Sequence, residues 1–394
     1  MLKAVMRRAD APSYRIAVLE LPEREDLLAE KLKQIGVGMT LEKNCRVEKL
    51  EGDGGALQAL VGANVNADEM QYLAKRLDSF DKREMLAFQA AATAEKLTEV
   101  KDLINLTFNL DCYTVISSFT DAAEIGSIHL TALEHGIIPE KVPTAELEAV
   151  GRALIAGGDG LVTPYGVLYR NGNQPELLYN GRQFPEYFYQ ECDISVALTL
   201  DGKTETLYLP CFDVEIEKAL LRLGAADSSM CAAKMEQGRI CEAIRIMLEE
   251  EFQLSEHLDT LNRLARCYQG FDEQALENFH TIFDSAWPQT PEEVLCLAEN
   301  FYEFTVIPGI STPEEYGRYM IERSGHFELD PNLEEFVDFK SYGEDRVRQE
   351  QGIFGDRGYL AYRGTTALVE EILARNMPAE QNAAPEQGHR MGGL

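Results

Sequence analysis

The sequence repeats itself at a spacing of about 191 residues. Moving the chain along itself by that distance sets residues 71–135 against residues 262–326 without a gap, and 13 of the 65 positions are identical. Many of the identities are apolar residues and glycines, such as Phe88 with Phe279 and Gly126 with Gly317. The period is far longer than the 20–50 residues of solenoid repeats. The pattern therefore predicts two similar copies of one fold in a single chain.

Both copies show the same order of predicted elements. A short strand (14–21 and 204–209) leads through a proline into an amphipathic helix that stops at a glycine. An irregular segment follows, strand-like in the first copy and more helical in the second. Helices near 67–78 and 257–269 begin a helical stretch, and a β-branched strand, a further helix and a glycine-rich hairpin close each copy.

This order predicts an α+β fold, in an elongated multi-domain chain of two similar copies. Each copy is expected to hold a small β-sheet/helix unit, a helical middle and a C-terminal α/β hairpin unit. Thr120 and Thr312 are the expected N-caps of the helix before each hairpin. The predicted parts of copy one are 1–66, 67–111, 112–172 and a linker at 173–192. Those of copy two are 193–256, 257–301 and 302–376, followed by a disordered tail at 377–394.

Acidic residues outnumber basic ones by a wide margin. There are 67 Asp and Glu against 37 Lys and Arg, a net charge of −30, and residues 201–394 carry −20 of it. With 45% apolar residues the chain can build packed cores, so the acidity belongs to a folded protein. Direct binding to nucleic acid or to an anionic membrane is disfavoured, because no cationic stripe is present. The charge instead favours a protein partner with a basic groove.

The remaining composition favours the cytoplasm. The chain has no apolar run of transmembrane length, and its first residues lack the apolar stretch of a secretory signal. Its eight cysteines are scattered with no C-x-x-C pair, so reduced buried thiols are expected.

Motifs of catalysis and metal binding are absent from the sequence. No G-x-S-x-G, P-loop or H-E-x-x-H string occurs, and His129 and His135 are too far apart to share a helix face as a metal pair. Asp53 and Asp356 lie in glycine-rich strings that lack the ligand ladder of a calcium loop. Paired carboxylates are too abundant here to indicate a glycosidase-like dyad. We therefore expect no enzyme activity, no cofactor and no metal.

Residues 312–364 resemble the C-terminal part of the ArdA antirestriction family. The resemblance is carried by Tyr316-Gly317-Arg318-Tyr319, Leu333-Glu334-Glu335-Phe336, Asp338, Tyr342-Gly343 and the closing glycine-rich hairpin. In the first copy, residues 67–91 and 100–113 resemble the helical middle domain of the same family. The resemblance implies a non-enzymatic, acidic mimic of B-form DNA that occupies the DNA-binding groove of type I restriction-modification enzymes. It also implies a dimeric unit, formed either by two chains or by the two copies within one chain.

The charge is consistent with that implication. Duplex DNA carries one charge per about 1.7 Å, so 30 net charges correspond to roughly 50 Å, or about 15 base pairs, as an upper bound. The acids expected to contact the partner cluster in the second copy: Glu292, Glu293, Glu299, Glu303, Glu314, Glu315, Glu322, Glu334, Glu335, Asp338, Glu344 and Asp345.

Two other interpretations remain open at the level of the sequence. The first is an acidic interaction or scaffold protein of a mobile element that binds a different basic partner. The second is a hydrolase, which predicts a concave pocket that holds two acids with perturbed pKa values.

Overall fold

The computed structural model describes residues 2–10, 15–52, 55–135, 142–186, 192–325, 328 and 330–376. Helices and small sheets alternate along these residues, which confirms the predicted α+β class. None of the described helices is long and apolar enough to cross a membrane. The tail predicted at 377–394 lies outside the described residues.

The chain divides into two compact units. Unit 1 comprises Met1–Gln190, Thr199–Thr206 and Phe212–Ala226, and unit 2 comprises Glu191–Leu198, Leu207–Cys211 and Asp227–Leu394. The helix at 213–223, which the repeat assigns to copy two, therefore belongs to unit 1. The domain boundaries drawn from the sequence stay a prediction.

Unit 1 begins with a four-stranded sheet in the order β2-β1-β3-β4, covered by helices whose apolar residues share one core with it. Its elements are β1 (Leu2–Arg8), β2 (Ala17–Leu21), α1 (Glu25–Gln34), β3 (Cys45–Gly52), β4 (Asn64–Val65), α2 (Ala67–Asp78), α3 (Lys82–Ala94), α4 (Val100–Leu106), β5 (Tyr113–Ile116), α5 (Ala122–Leu133), α6 (Thr144–Gly157), β6 (Leu161–Thr163) and β7 (Gly166–Arg170).

The remaining elements start with a three-stranded sheet in the order β10-β8-β9, and α7 is the helix that joins unit 1. They are β8 (Ile194–Leu200), β9 (Lys203–Leu209), α7 (Asp213–Leu223), β10 (Ala232–Gly238), α8 (Glu242–Ile246), α9 (Leu258–Gln269), α10 (Glu273–Ala286), α11 (Pro291–Glu299), β11 (Phe304–Pro308), α12 (Pro313–Glu322), α13 (Phe339–Glu350), β12 (Ile353–Gly355), β13 (Gly358–Tyr362) and α14 (Ala367–Asn376).

The two hairpin sheets have the same strand order and the same register. In unit 1 the order is β5-β7-β6, and Val115 and Leu161 both face Leu168 across the ladders. In unit 2 the order is β11-β13-β12, and Val306 and Ile353 both face Leu360. These residues are the ones that the repeat of 191–192 residues sets against each other, so the geometry agrees with the interpretation of two copies.

A glycine pair allows two helices to cross closely beside each of these sheets. A Cβ atom on Gly126 would overlap the carbonyl oxygen of Leu147, and one on Gly151 would overlap that of Ala122. In unit 2, Gly317 and Gly343 make the same close crossing between α12 and α13. Any larger residue would force the helix backbones apart, which accounts for glycine at all four positions.

The structure corrects several details of the predicted elements. Asp121, and not Thr120, caps α5, because its carboxylate accepts hydrogen bonds from Ala123 and Glu124. The prediction at Thr312 is confirmed, since Thr312 forms a capping box with Glu315. The sequence prediction missed strand β1. The strand predicted at 14–21 begins only at Ala17, because Arg15 and Ile16 are described outside the strand.

The irregular segment of the second copy is only partly helical. Ala232–Gly238 form strand β10, and the helical part is limited to the short α8 and a π-helical turn at Met247–Glu251.

The described part of the predicted linker packs closely on unit 1. The side chain of Asn105 bonds to the backbone of Tyr179, and that of Asn109 bonds to the backbone of Glu176. The ring of Phe184 stacks on Tyr72 and Tyr179. Residues 173–186 are thus extended but held against the α2–α4 helices.

Candidate partner-binding surface

Three of the predicted contact acids lie on α11, and each already has a partner within unit 2. The carboxylate of Glu292 lies 2.9 Å from Nδ1 of His257, and Glu299 lies 2.5 Å from the Arg263 guanidinium, so both acids face α9 or the turn before it. Glu293 lies 2.8 Å from Arg375 on α14 and is largely buried. These carboxylates therefore help to hold α11 in place, and arginine side chains partly neutralise the charges of Glu293 and Glu299.

A second group of predicted acids surrounds Arg318 on α12. Its guanidinium lies 2.8 Å from both Glu322 and Glu334, and its carbon is 4.3 Å from the ring centre of Phe339 at the start of α13. This cation links α12, the 3-10 turn at 331–336 and α13. The Arg318 guanidinium therefore fixes the positions of the Glu322 and Glu334 carboxylates.

The two predicted acids on α13 are loosely paired. Glu344 lies 3.9 Å from Lys340, and Asp345 lies 3.0 Å from Arg348, with all four side chains well exposed. Exposed pairs of this kind contribute little to stability. A stronger cationic partner could therefore compete for both carboxylates.

Glu315 and Asp338 are fixed by backbone hydrogen bonds instead of by cations. Glu315 accepts from the N–H groups of Ser311 and Thr312, and Asp338 accepts from that of Ser341. These bonds, led by the one from Ser311, lower the pKa of Glu315, and the one from Ser341 lowers the pKa of Asp338. Both remain exposed and ionised at neutral pH.

Two of the predicted acids stand without an ion pair among the described residues. Glu303, before β11, and Glu314, in the first turn of α12, are both exposed. The side chain of Glu335, also predicted as a contact, lies outside the described residues. The eleven predicted acids with described side chains thus divide into paired, capping and free carboxylates, and the last two kinds are not neutralised by a cation of the described residues.

The acids and the helices that carry them fall within one match to a known family. Residues 214–361 match the family described as antirestriction protein (ArdA). This part of the chain is similar to the ArdA antirestriction family. The match confirms the family inferred from residues 312–364 and extends it back to α7. No curated protein matches the chain.

We call residues 214–361 the ArdA region. The first copy lies outside this match. Members of the family are antirestriction proteins, which is the function that the sequence resemblance implied. The resemblance of residues 67–91 and 100–113 to the same family stays a prediction.

The ArdA region also carries free acids that the sequence prediction missed. Glu250 and Glu251 in the π-helical turn, Glu256 after it, and Glu273 and Glu277 on α10 are exposed and make no ion pair within the described residues. For Glu273 and Glu277 a signal was available, because no Lys or Arg occurs between Arg266 and Arg318, although that stretch contains ten Asp and Glu. We call residues 267–317 the acid-only segment.

An aromatic cluster brings Glu303 close to the start of α10. The ring of Phe271 lies 4.4 Å from that of Phe301 and 6.4 Å from that of Tyr302, and the Tyr302 hydroxyl bonds to the Gly270 carbonyl. Glu273 and Glu277 follow on one face of α10, four residues apart. These three free carboxylates therefore lie on neighbouring elements of the ArdA region.

A buried polar network fixes α12 against α13 and β13. The carboxylate of Glu350 accepts hydrogen bonds from the hydroxyls of Tyr316 and Tyr359 and pairs with Arg346. The two tyrosine rings stack at 4.0 Å. Burial, together with the Glu350 carboxylate, raises the pKa of Tyr316 to about 12. Both tyrosines therefore remain neutral donors, and the helices of the ArdA region keep a fixed orientation.

One small cavity of unit 1 holds two acids but does not suit the hydrolase interpretation. Burial raises the pKa of Glu69 in unit 1, and Glu69 and Asp68 line a cavity with Lys218 and Arg222. That cavity measures about 10 Å³, which is room for about one water molecule and not for a substrate. Among the described residues no group of three His, Cys, Asp or Glu could hold a metal ion.

Proposed function

We propose that the chain is an antirestriction protein that mimics duplex DNA and occupies the DNA-binding groove of a type I restriction-modification enzyme. The observation that carries the proposal is the acid-only segment, in which ten Asp and Glu occur without a Lys or Arg. A basic groove that normally holds phosphates would meet there carboxylates that the segment itself cannot neutralise.

The state of the free acids supports this role. The carboxylates of Glu273, Glu277, Glu303 and Glu314 are exposed, and none of them makes an ion pair within the described part of the chain. Lys and Arg of a DNA-binding groove form charge-assisted hydrogen bonds to carboxylates as they do to phosphates. Capping by Glu315 and Asp338 adds negative charges at fixed places, so less conformational entropy is lost on binding.

The partner of this proposal is an intracellular enzyme on DNA, so the proposed place of action is the cytoplasm. The matching register of the two hairpin sheets supports a tandem protein whose two copies form the dimeric unit as a pseudo-dimer. A homodimer of the whole chain is the alternative form of the active unit.

Inhibition of both activities of a purified type I enzyme tests the proposal. Cleavage and methylation both require DNA in the same groove, so we expect the chain to suppress both with the same concentration dependence. Raising the salt concentration should relieve the inhibition steeply, because the contacts replace those of phosphates. Loss of cleavage with methylation intact would contradict occupation of the groove. A basic protein that does not bind DNA serves as the control. If the chain binds this protein as tightly as it binds the type I enzyme, the result would favour a general acidic scaffold.

A further inference from the structure

The structures of the two copies differ directly after the hairpin sheet. In unit 2 the chain folds into α14, which packs on α10 and α11. Val369 and Ile372 are fully buried there, and Leu373 is nearly so. Arg375, one helical turn after Ile372, lies 2.8 Å from Glu293 on α11. Helix α14 is thus held in place by an apolar stripe and one basic side chain.

Unit 1 has the counterparts of α10 and α11, namely α3 and α4, but no helix in this place. Pro175 stands where the repeat would put Ala367 at the start of α14, and the chain continues in extended form. A proline that follows Gln174 disfavours helical backbone at that residue. Leu177, the counterpart of the buried Val369, is 74% exposed. The apolar side chains that would close the site are therefore missing.

An open groove of about 480 Å³ lies at this place in unit 1, a volume within the usual range of ligand clefts. Its lining includes Leu97, Leu106, Tyr113 and Leu177, with Asp102 and Glu176 also among the lining residues. By the repeat, Leu106 corresponds to Leu297, Tyr113 to Phe304 and Asp102 to Glu293. Leu297 and Glu293 lie on α11, on which α14 packs, and Glu293 pairs with Arg375 of α14.

The charges of the groove favour a cationic occupant. Asp102 and Glu176 are exposed and make no ion pair within the described residues. Arg170 also lines the groove, but its guanidinium is bound by the Glu95 carboxylate through Nε at 3.0 Å and Nη2 at 2.6 Å. Asp102 is therefore available to pair with a basic side chain of the occupant, as Glu293 pairs with Arg375.

We propose that this groove of unit 1 binds an amphipathic α-helix of another protein. The helix carries apolar side chains with the spacing of Val369, Ile372 and Leu373, and a Lys or Arg one turn later that pairs with Asp102. This is helix-in-groove recognition, in which an apolar face is buried and a charge sets the orientation. The site is separate from the acidic surface of the ArdA region and goes beyond the proposed antirestriction function.

A peptide with the sequence of residues 365–376 (TTALVEEILARN) is the probe, because α14 shows the required pattern. Fluorescence anisotropy of the dye-labelled peptide with the full chain should give saturable binding. Ile372→Asp in the peptide should weaken binding more than about tenfold, since it places a charge on the apolar stripe. Asp102→Lys in the protein should weaken it about two- to fivefold, as expected for an exposed ion pair. The peptide variant Arg375→Glu should recover affinity for the Asp102→Lys protein.

Glu146→Lys is the matched control. Glu146 is, like Asp102, an exposed acid at the third residue of a helix of unit 1, but it lies outside the groove. It should leave peptide binding unchanged. Absence of saturable binding would overturn the proposal. Binding that is unchanged by Asp102→Lys but weakened by Glu293→Lys would also overturn it, because the peptide would then have replaced α14 in unit 2. Self-association of the full chain that is lost on Asp102→Lys would also overturn it, because the occupant would be a second copy.

Discussion

Replacing Lys218 by alanine is expected to destabilise unit 1 by about 3–5 kcal/mol. The Lys218 ammonium is buried, 2.8 Å from Glu25 on α1 and 2.6 Å from Asp68 on α2. A second ammonium, that of Lys75, lies 2.6 Å from Glu25. Without Lys218 two poorly solvated carboxylates face each other across the cluster, and the desolvation that the ion pair offset is no longer compensated.

The pH dependence of this effect follows from Glu25. Burial alone would raise its pKa, but the charges of Lys218 and Lys75 outweigh burial and lower the pKa from 4.5 to about 2. A carboxyl with a lowered pKa stabilises the folded state above its unfolded pKa, and the stabilisation is lost as the pH falls through the folded value. For Glu25 this amounts to about 3 kcal/mol, lost between pH 4.5 and 2. The difference between wild type and Lys218→Ala should therefore narrow below pH 4.5.

Hydrogen–deuterium exchange of α1, α2 and α7 at several urea concentrations measures this loss within unit 1. Lys340→Ala is the control, because Lys340 is exposed and its nearest carboxylate, that of Glu344, lies 3.9 Å away. It should change stability by less than about 0.5 kcal/mol. A neutral triple variant, with Lys218→Met, Glu25→Gln and Asp68→Asn, should recover much of the loss. Equal destabilisation in the triple variant would show that shape, and not charge, holds the cluster.

Reversing three free acids of the ArdA region is expected to lower affinity for a type I methyltransferase by about 100-fold. The variant is Glu273→Lys, Glu277→Lys and Glu303→Lys, on neighbouring elements beside the Phe271 cluster. Each exposed contact contributes up to about 1 kcal/mol, and a reversal replaces attraction by repulsion, so three of them account for this loss. Titration calorimetry or anisotropy with the purified enzyme measures it.

The matched control changes the net charge by the same amount in unit 1. Glu20, Glu30 and Glu42 are exposed and make no ion pair among the described residues. Their reversal to lysine should change affinity less than about threefold, because these acids lie outside the acid-only segment that we propose contacts the enzyme, and exposed charges without a direct contact contribute little at physiological salt. Equal losses in the two triple variants would mean that net charge, and not the acid-only segment, drives binding.

Local elements of this chain could be predicted well from its sequence. The helix expected at 67–78 is α2, and the one expected at 257–269 differs from α9 by one residue. Both have apolar residues at the 3.6-residue period, which depends only on neighbours along the chain. The equal register of the hairpin sheets likewise follows the alignment of Val115 with Val306 and Leu168 with Leu360.

Long-range pairing could not be predicted in the same way. Glu293 was expected to face a partner, but Arg375 on α14 neutralises it from 82 positions away. No local pattern contains that contact, and only the fold shows that Glu303 and Glu314 keep their charge free. Lys218 is a similar case, since a lysine on an amphipathic helix reads as an exposed residue until α7 is found packed within unit 1.

Competition between this chain and duplex DNA for a type I methyltransferase tests the central claim most directly. If carboxylates of the acid-only segment take the place of phosphates, the apparent dissociation constant of the chain should rise in proportion to the concentration of a duplex that carries the recognition site. No ternary complex of enzyme, DNA and chain should then be detected. A chain that binds with unchanged affinity to enzyme already saturated with DNA would contradict the account.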